Sequence, residues 1–347
     1  MTIDLIVSTY KPDKIYLELI DKMLGQTVTI NKVIVMNVEQ KFYDRLMYSS
    51  KLSDIYKGLE VHHIAKRESD LGKNRNVGVS YSDADYVLMM NQDAVPAGAE
   101  VVEKLLKVLE SDEKIAVAYA RQVVPESMPE YFKYEMRYYY PEDSGVRSSK
   151  DLETMRWGAY VNSNVCALYR RKTFDELGGF LNHVIANEDI LYGYKVISEG
   201  YKIAYVADAV VVNHKFYETD EWEKAAFDKA VSFAKHPEVF GVNEMKDEFK
   251  KLEKMISNHL KRNGFRSDYL TFRRISRLEK KGLARGLKYK KLASIDFPKY
   301  SLCPEYWRMD EILRDRSAVD VRSGYGRSAA ELEMMQKPPV RQHKFDE

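Results

Sequence analysis

Two short acidic segments hold the residues of this chain whose types and spacing could do chemistry. Asn91-Gln92-Asp93 directly follows the apolar run 84–90, and Asn187-Glu188-Asp189 directly precedes the amphipathic run 190–200. The run 84–90 predicts a buried strand, and open α/β sheets bind ligands beyond the carboxyl ends of their strands. We therefore expect the Asp93 carboxylate to lie at a ligand-binding edge of a sheet.

A carboxylate in the place of Asp93 suits a divalent cation. Mg²⁺ and Mn²⁺ prefer hard oxygen ligands, and a cation beside a diphosphate neutralises the charge that develops as a nucleotide departs. His214 follows the apolar run 209–212 by two residues and offers a nitrogen ligand to the same cation. The alternatives are that Asp93 caps the turn before Pro96 and that His214 is satisfied by local hydrogen bonds.

Glu188 and Asp189 stand at the predicted start of a helix, where the helix dipole favours an ionised carboxylate. Such a carboxylate can take a proton from a hydroxyl group that attacks a neighbouring atom, or it can simply cap the helix. One acidic site for a metal and a diphosphate, with a second to remove a proton, predicts transfer of a sugar from a nucleotide.

Three further positions are candidates for contact with a nucleotide. The segment 72–76 (GKNRN) opens a predicted helix after a strand, and its Arg75 beside a helix N-terminus favours phosphate. The glycine pattern is neither GxGxxG nor GxxxxGK[ST], so a dinucleotide-binding motif or P-loop is not supported. Thr9-Tyr10 ends the first predicted strand and Glu39 follows the second. These three side chains either contact the base or ribose or supply ordinary turn polarity.

The elements that must position these residues alternate along the first half of the chain. Predicted strands at 2–8, 32–38, 59–64, 84–90 and 115–120 are separated by predicted helices. Such alternation predicts an α/β fold with a parallel, doubly wound sheet. The second half is less regular. We predict a loop over 141–156, a strand over 164–169, a helix over 188–199 and two short strands over 201–206 and 209–214.

Bulk composition favours a globular, cytoplasmic protein. The 347 residues include only two cysteines, which provide neither a disulfide framework nor a zinc pattern. The N-terminus, MTIDLIVSTY, predicts a strand and not a signal peptide. No apolar run approaches the ~20 residues needed to span a bilayer.

Charge is distributed unevenly along the chain. Residues 246–291 contain 16 Lys and Arg against 5 Asp and Glu, so this stretch carries +11 in a chain of net charge +2 and leaves −9 elsewhere. We place a boundary near residue 240, between a domain of residues 1–240 and a helical, basic extension of residues 241–347 with a flexible end. The extension could bind an anionic membrane surface, pack on the acidic domain or bind nucleic acid. It lacks a recognised nucleic-acid-binding module, and we expect no nucleic acid partner.

Taken together, three segments resemble a family 2 glycosyltransferase with the GT-A fold, over about residues 1–240. They are IVSTYKP, GKNRNVGVSYSDADYVLMMNQDAVP and GGFLNHVIANEDILYGYKVISEGYKIAYVADAVVVNH. A closer similarity is to the bacterial rhamnosyltransferases that use dTDP-L-rhamnose, and it rests on NQDAVP, VAYARQVVPE and SNVCALYRR. Of the Asp-x-Asp motif of the family only the last aspartate is kept, so Asp93 is carried over as a ligand and Asn91 is not.

The resemblance implies a role for each candidate residue. Asp189 would be the catalytic base of a single inverting displacement, and Asp93 with His214 would hold Mg²⁺ or Mn²⁺. The remaining candidates fall into two groups. Contacts with the nucleotide-sugar donor are expected from Thr9, Tyr10, Glu39, Arg75, Gln92 and Asp93, and contacts with a glycan or lipid-linked saccharide acceptor from Trp157, Asn164 and Glu188.

The resemblance places the enzyme in cell-surface polysaccharide synthesis, in the cytoplasm or at the inner face of the plasma membrane. Three alternatives stay open. The same fold could use UDP-galactofuranose, UDP-glucose or UDP-galactose. The chain could bind nucleic acid through its basic stretch. It could also bind a sugar nucleotide without turning it over, because Asn91 replaces an acidic residue.

Overall fold

The structure is a computed structural model that describes residues 1–50 and 58–322, with side chains through residue 48 and from 58 to 314. The flexible end predicted after residue 324 lies outside the described residues.

Nine strands and thirteen helices make up the described chain. The strands are β1 (Ile3–Tyr10), β2 (Lys32–Val38), β3 (Leu59–Ile64), β4 (Tyr86–Asn91), β5 (Ala94–Pro96), β6 (Ile115–Val123), β7 (Gly145–Arg147), β8 (Cys166–Arg170) and β9 (Lys202–Asn213). The first eight helices are α1 (Lys14–Leu24), α2 (Gln40–Ser50), α3 (Leu71–Ser80), α4 (Val101–Glu110), α5 (Glu130–Tyr139), α6 (Leu152–Met155), α7 (Arg171–Glu176) and α8 (Glu188–Ser198). The last five are α9 (Glu221–Lys235), α10 (Val242–Arg262), α11 (Arg266–Gly286), α12 (Phe297–Tyr300) and α13 (Pro304–Arg322).

All nine strands belong to one mixed sheet in the order β3-β2-β1-β4-β8-β6-β9-β5, with β7 paired to β9. The strands β3, β2, β1 and β4 are parallel, and β9 is parallel to β6. Strand β8 runs antiparallel between β4 and β6, which gives β6 the direction of β4. Six strands therefore point the same way, which confirms the predicted α/β, mostly parallel sheet.

Each face of the sheet buries its own core, because successive strand residues point to opposite sides. In β1, Leu5 and Val7 join the core formed with α1 and α4, whereas Ile6 joins the core formed with α3, α7 and α8. The same alternation holds for Leu88 and Met89 of β4. Helices thus cover both faces, and the carboxyl ends of the strands are left as the open edge.

Two local predictions were wrong. The strands predicted over 201–206 and 209–214 are the single strand β9, which bulges where Arg121 of β6 pairs with Val210 directly after Ala120 pairs with Val206. The exposed Asp208 in this bulge interrupts the apolar pattern without ending the strand. The loop predicted over 141–156 contains β7, α6 and a capped helical turn. Arg147 anchors it from inside, by donating to the hydroxyl of Tyr119 at 2.5 Å.

The C-terminal helices pack on α9 and α5. A Cβ at Gly282 of α11 would lie 2.1 Å from the carbonyl oxygen of Glu223 in α9, so the two helices are in backbone contact there. Ile275 and Phe272 of α11 are buried in a cluster with residues of α5, α9 and α10. Across the part of the chain that the structure describes, no helix is both long enough and apolar enough to cross a membrane.

Candidate functional site

The segment Asn91-Gln92-Asp93 lies at the carboxyl edge of the sheet, beside the end of β1. Ser8 of β1 is in register with Asn91, and the Gln92 side chain extends this contact. Its Oε1 accepts from the backbone nitrogen of Tyr10 at 2.9 Å, and its Nε2 donates to the Tyr10 carbonyl at 3.0 Å. Gln92 therefore fixes the turn that carries Asp93 against the first strand.

Asp93 and His214 are brought together by the pairing of β5 with β9. Ala94 is in register with Asn213, and the backbone nitrogen of His214 donates to the Asp93 carbonyl at 2.8 Å. Burial raises the pKa of the Asp93 carboxyl, and the nearby Lys215 and His214 offset part of this shift. A carboxylate whose charge is only partly balanced can accept a cation.

The donor set fits a hard or borderline divalent cation. A carboxylate and an imidazole at the adjoining ends of two paired strands are ligands that Mn²⁺ accepts, and Mg²⁺ can use the carboxylate. Within residues 1–50 and 58–322 no group of three or more metal-ligating side chains occurs. A cation bound at Asp93 and His214 would thus need further ligands from a substrate or water.

Arg75 links the two acidic segments of the chain. Its Nη1 lies 2.5 Å from Glu188 Oε1 at the start of α8, and its Nη2 donates to Asn91 Oδ1 at the end of β4, at 2.8 Å. Both side chains of the ion pair are buried. The guanidinium is occupied within the protein, and its predicted contact with a nucleotide stays a prediction.

Asp189 follows Glu188 in the first turn of α8 and is half-buried. Its Oδ1 accepts from the nitrogen of Ile190 at 2.9 Å, and its Oδ2 accepts from that of Asn164 at 3.2 Å. Burial, followed by the neighbouring Glu188 charge, raises the pKa of Asp189 to about 7. A carboxyl group with such a pKa is a suitable proton acceptor near neutral pH.

Asn164 contacts the carboxylates of both Glu188 and Asp189. It is buried, and its side-chain nitrogen donates to Glu188 Oε1 at 3.1 Å. The hydroxyl oxygen of Tyr169 lies 2.7 Å from Asn164 Oδ1 and 2.9 Å from Asn162 Oδ1, and its single proton is donated to one of them at a time. Asn162 in turn donates to the Asp189 carbonyl at 2.7 Å. The network orients the first turn of α8, and predicted acceptor contacts of Asn164 and Glu188 stay predictions.

Thr9, Tyr10 and Glu39 lie at the same edge of the sheet. Thr9 is buried, and its hydroxyl donates to Asn37 Oδ1 at 2.9 Å. Glu39 has a φ of +65°, and its backbone nitrogen donates to the carbonyl oxygen of Ile64. These positions surround the ends of β1, β2 and β3, where a nucleotide would meet the sheet, and their roles stay predictions.

Trp157 lies apart from this network. It belongs to a helical turn over residues 156–160 and packs against Phe240, with ring centroids 6.2 Å apart. The structure thus joins Asn91, Arg75, Asn164, Glu188 and Asp189 by hydrogen bonds, and it does not bring Trp157 into that set. Sequence reasoning missed Asn162, which directly precedes the segment SNVCALYRR, and Tyr169, which lies within it.

A cavity of about 560 Å³ opens beside these residues. Asn91, Asp93 and Asn213 line it at the edge of the sheet, and Asn187, two residues before Asp189, lines it on the side of α8. Its far wall is formed by α5, α9, α10 and α11. The arrangement can hold a diphosphate near Asp93 and remove a proton at Asp189, with space for a further ligand.

Comparisons with known proteins identify the family of the chain. The sequence model of glycosyl transferase family 2 matches residues 4–178. The O-antigen chain rhamnosyltransferase RfbN of Salmonella typhimurium is 31% identical over 238 residues, covering 68% of this chain and 74% of that protein. The O-antigen chain rhamnosyltransferase WbaN of Salmonella anatum is 29% identical over 175 residues, 50% of this chain and 55% of that protein.

A solved structure shares the fold. The mannosyltransferase PcManGT of Pyrobaculum calidifontis, in complex with GDP-Man and Mn²⁺, superposes with a TM-score of 0.54 at 14% identity, over 83% of this chain and 88% of that one. The predicted GT-A fold and the predicted family are thereby confirmed. The chain belongs to glycosyl transferase family 2 and is a glycosyltransferase.

Proposed function

We propose that the enzyme transfers L-rhamnose from dTDP-L-rhamnose, with inversion, to a hydroxyl of a glycan or lipid-linked saccharide in O-antigen synthesis. The observation that carries the proposal is the placement of Asp93 and His214 next to each other, at the adjoining ends of β5 and β9, with Asp93 lining a cavity that Asn187, two residues before Asp189, also lines. The two Salmonella relatives are O-antigen chain rhamnosyltransferases by name, which supports the sugar and the pathway.

In this proposal Asp189 accepts the proton of the acceptor hydroxyl as its oxygen bonds to the anomeric carbon of the donor. The bond from that carbon to the diphosphate breaks, and dTDP leaves. The backbone nitrogen of Asn164 holds the Asp189 carboxylate, and the contacts of Glu188 with Arg75 and with the Asn164 side chain hold the first turn of α8. Mg²⁺ or Mn²⁺ held by Asp93 and His214 would neutralise charge on the leaving diphosphate.

Nucleotide binding tests the proposal directly. Thermal unfolding is measured with dTDP, UDP or GDP, each with Mn²⁺, Mg²⁺ or a chelator, because a ligand of the folded state raises its stability. We expect a metal-dependent stabilisation that is largest for dTDP and is lost in Asp93→Ala. Stabilisation by UDP above dTDP would instead favour a UDP-galactofuranose, UDP-glucose or UDP-galactose donor. Equal stabilisation with metal and with chelator would refute the metal site.

We place the enzyme in the cytoplasm, at the inner face of the membrane, through the exposed face of α11. Arg274 and Arg277 are exposed there, beside Leu270 with 70% of its surface accessible. Basic residues near an anionic bilayer contribute roughly 1 kcal/mol each to binding. The double variant R274Q/R277Q should therefore co-sediment less with vesicles that contain phosphatidylglycerol, and equal sedimentation would contradict the placement.

A further inference from the structure

The cavity beside Asp93 continues into a wall built from α5, α9, α10 and α11. Of these helices, α9, α10 and α11 lie outside the segment 4–178 that the family model matches. Glu135 of α5, Lys229 of α9 and Glu279 of α11 line this wall together. All three are ionisable side chains that line the same cavity, and the proposed proton transfer uses none of them. Their presence in the cavity therefore needs a separate explanation.

The two glutamates share one cationic neighbour. Burial raises the pKa of Glu279, and the charge of Glu135 raises it further, whereas Lys229 offsets part of the shift. Burial likewise raises the pKa of Glu135. A carboxyl and a carboxylate together provide both a hydrogen-bond donor and several acceptors, which is the combination that sugar hydroxyls require. Another glutamate in the wall, Glu253, is engaged with Ser276 and Lys280 at 2.6 Å each.

Asp228 supplies an independent observation. Its side chain lines the same cavity and is 4% exposed, and its Oδ1 has no hydrogen-bond partner. The side-chain nitrogen of Asn187, at the α8 end of the cavity, also lacks a partner. Buried polar atoms are nearly always paired in proteins, so these two point to a ligand that supplies the missing hydrogen bonds.

Aromatic side chains line much of the cavity. They include Phe132, Tyr139, Tyr217, Trp222 and Phe272. Small-molecule sites are mostly apolar, with a few polar groups that fix orientation, and have volumes on the order of 300–1,000 Å³. The cavity falls in that range. Five acidic side chains line the cavity against two lysines, Lys215 and Lys229, and this excess of acidic groups disfavours a phosphate. The aromatic faces suit the C–H bonds of a sugar ring.

We propose that this cavity binds the acceptor as a neutral, hydroxyl-rich saccharide, and that Glu135, Glu279 and Lys229 select it over a phosphorylated one. The inference rests on the proposed transfer reaction. In a lipid-linked acceptor, the saccharide end would enter the cavity and the phosphate groups would stay outside. The C-terminal helices would then determine acceptor specificity, while the sheet binds the donor.

The test uses the full chain with labelled dTDP-L-rhamnose and Mn²⁺. Methyl glycosides of galactose, glucose and mannose are compared with the 6-phosphates of the same glycosides. Transfer of label and release of dTDP in water are followed separately. We expect at least one neutral glycoside to accept label and its phosphate to be inactive. Glu279→Gln should raise the KM for that glycoside at least tenfold, without changing the KM for donor or the hydrolysis rate.

The control is Glu110→Gln, the same chemical change at an exposed position of α4, which should alter neither KM. Glu135→Gln provides a second variant in the cavity. The inference would be overturned if phosphorylated glycosides were used as efficiently as neutral ones. It would also be overturned if the acceptor KM were unchanged in both variants, or if the enzyme hydrolysed the donor and used no glycoside. If the wild-type enzyme does not cleave dTDP-L-rhamnose at all, the proposed function fails, and the inference fails with it.

Discussion

At the scale of single residues, the site depends on charges that balance one another inside the protein. Arg75 is the cation between the Glu188 carboxylate and the Asn91 amide, and Asp189 stands next to this ion pair. Removing one partner of a buried ion pair leaves an uncompensated charge, whereas an exposed pair contributes little. The conformation of the first turn of α8, which carries the proposed base Asp189, should therefore depend on Arg75.

The first residue-scale prediction concerns Asp189. Asp189→Asn keeps the shape and one of the two hydrogen bonds accepted from the backbone nitrogens of Asn164 and Ile190, because its amide has a single acceptor oxygen. The amide cannot act as a general base. General-base catalysis contributes on the order of 10²- to 10⁴-fold to a rate. We expect kcat for sugar transfer to fall by about that factor, while thermal stabilisation by dTDP is retained. Asp208→Asn, at an exposed position of β9, is the control, and unchanged kcat in Asp189→Asn would disprove the assignment.

The pH dependence of the rate follows from the same residue. Because burial raises the pKa of Asp189 to about 7, the group is protonated and inactive as a base below that pH. We expect kcat/KM to rise with pH and to reach half of its plateau near neutral pH. The measurement is a pH profile at constant ionic strength, with dTDP binding followed in parallel. A plateau that extends down to pH 5 would contradict the prediction.

Arg75 provides a prediction about stability. Arg75→Met leaves Glu188 buried without its cation, and losses from such buried pairs are about 3–5 kcal/mol. We expect a decrease of that size in the free energy of unfolding in urea. Adding Glu188→Gln to Arg75→Met should restore part of the stability, since the uncompensated charge is then gone. A loss below about 1 kcal/mol in Arg75→Met would show that the pair is not important for stability.

At the scale of elements, the C-terminal helices are structural partners of the catalytic half. The basic residues of α11 face inward as well as outward, since Lys281 and Arg285 both pair with Glu223 of α9. Gly282 and Gly286 allow the backbones of α11 and α9 to approach closely. The predicted boundary near residue 240 therefore separates segments that share a helical interface, and whether the two are domains remains a prediction.

Gly282→Ala tests that interface. The added Cβ would meet the Glu223 carbonyl at 2.1 Å, and overpacking costs typically 1–3 kcal/mol, which exceeds the helix-propensity gain of about 1 kcal/mol. We expect a lower melting temperature and weaker use of glycoside acceptors, because α11 lines the cavity. Gly98→Ala is the control, since a Cβ there meets nothing within 4 Å. Equal melting temperatures for wild type and Gly282→Ala would contradict the packing.

At the scale of the whole molecule, stability should depend on pH through buried carboxyl groups. Burial raises the pKa of Asp228 to about 7, from an ordinary value of 3.8, although Ser301 and backbone groups of residues 302 and 303 hydrogen-bond to it. The folded state therefore binds the Asp228 proton more tightly than the unfolded state. The resulting stabilisation is fully present below about pH 4 and is lost as pH rises towards 7.

Asp228→Asn removes this titration. We expect the unfolding free energy of wild type, relative to that of the variant, to fall as pH rises between about 4 and 7, by roughly 1.4 kcal/mol for each unit of pKa difference. Urea unfolding of both proteins at several pH values measures it. Parallel curves would show that Asp228 is ionised in both states. The control, Asp208→Asn, should follow the wild-type curve.

Much of this protein follows from its sequence. The alternation of strands and helices predicted the parallel sheet. The polar residues that follow the apolar run 84–90 predicted the end of β4, and the acidic residues before the amphipathic run 190–200 predicted the start of α8. Such inferences succeed because hydrophobic periodicity is local and is read directly from neighbouring residues. Sequence resemblance identified the family, which the family model and the Salmonella relatives confirm.

Tertiary structure alone decided which distant residues meet. The contact of Arg75 with Glu188 joins residues 113 positions apart, and only the packing of α8 over the sheet creates it. The amphipathic pattern of α11 is compatible with binding to a membrane or to a protein surface. The close approach of the two backbones at Gly282 shows that one side of α11 faces α9. The cavity containing Glu135 and Glu279 exists only once α5 and α11 are assembled. Burial, which raises the pKa of each of these glutamates, is a property of that assembly and has no local sequence signal.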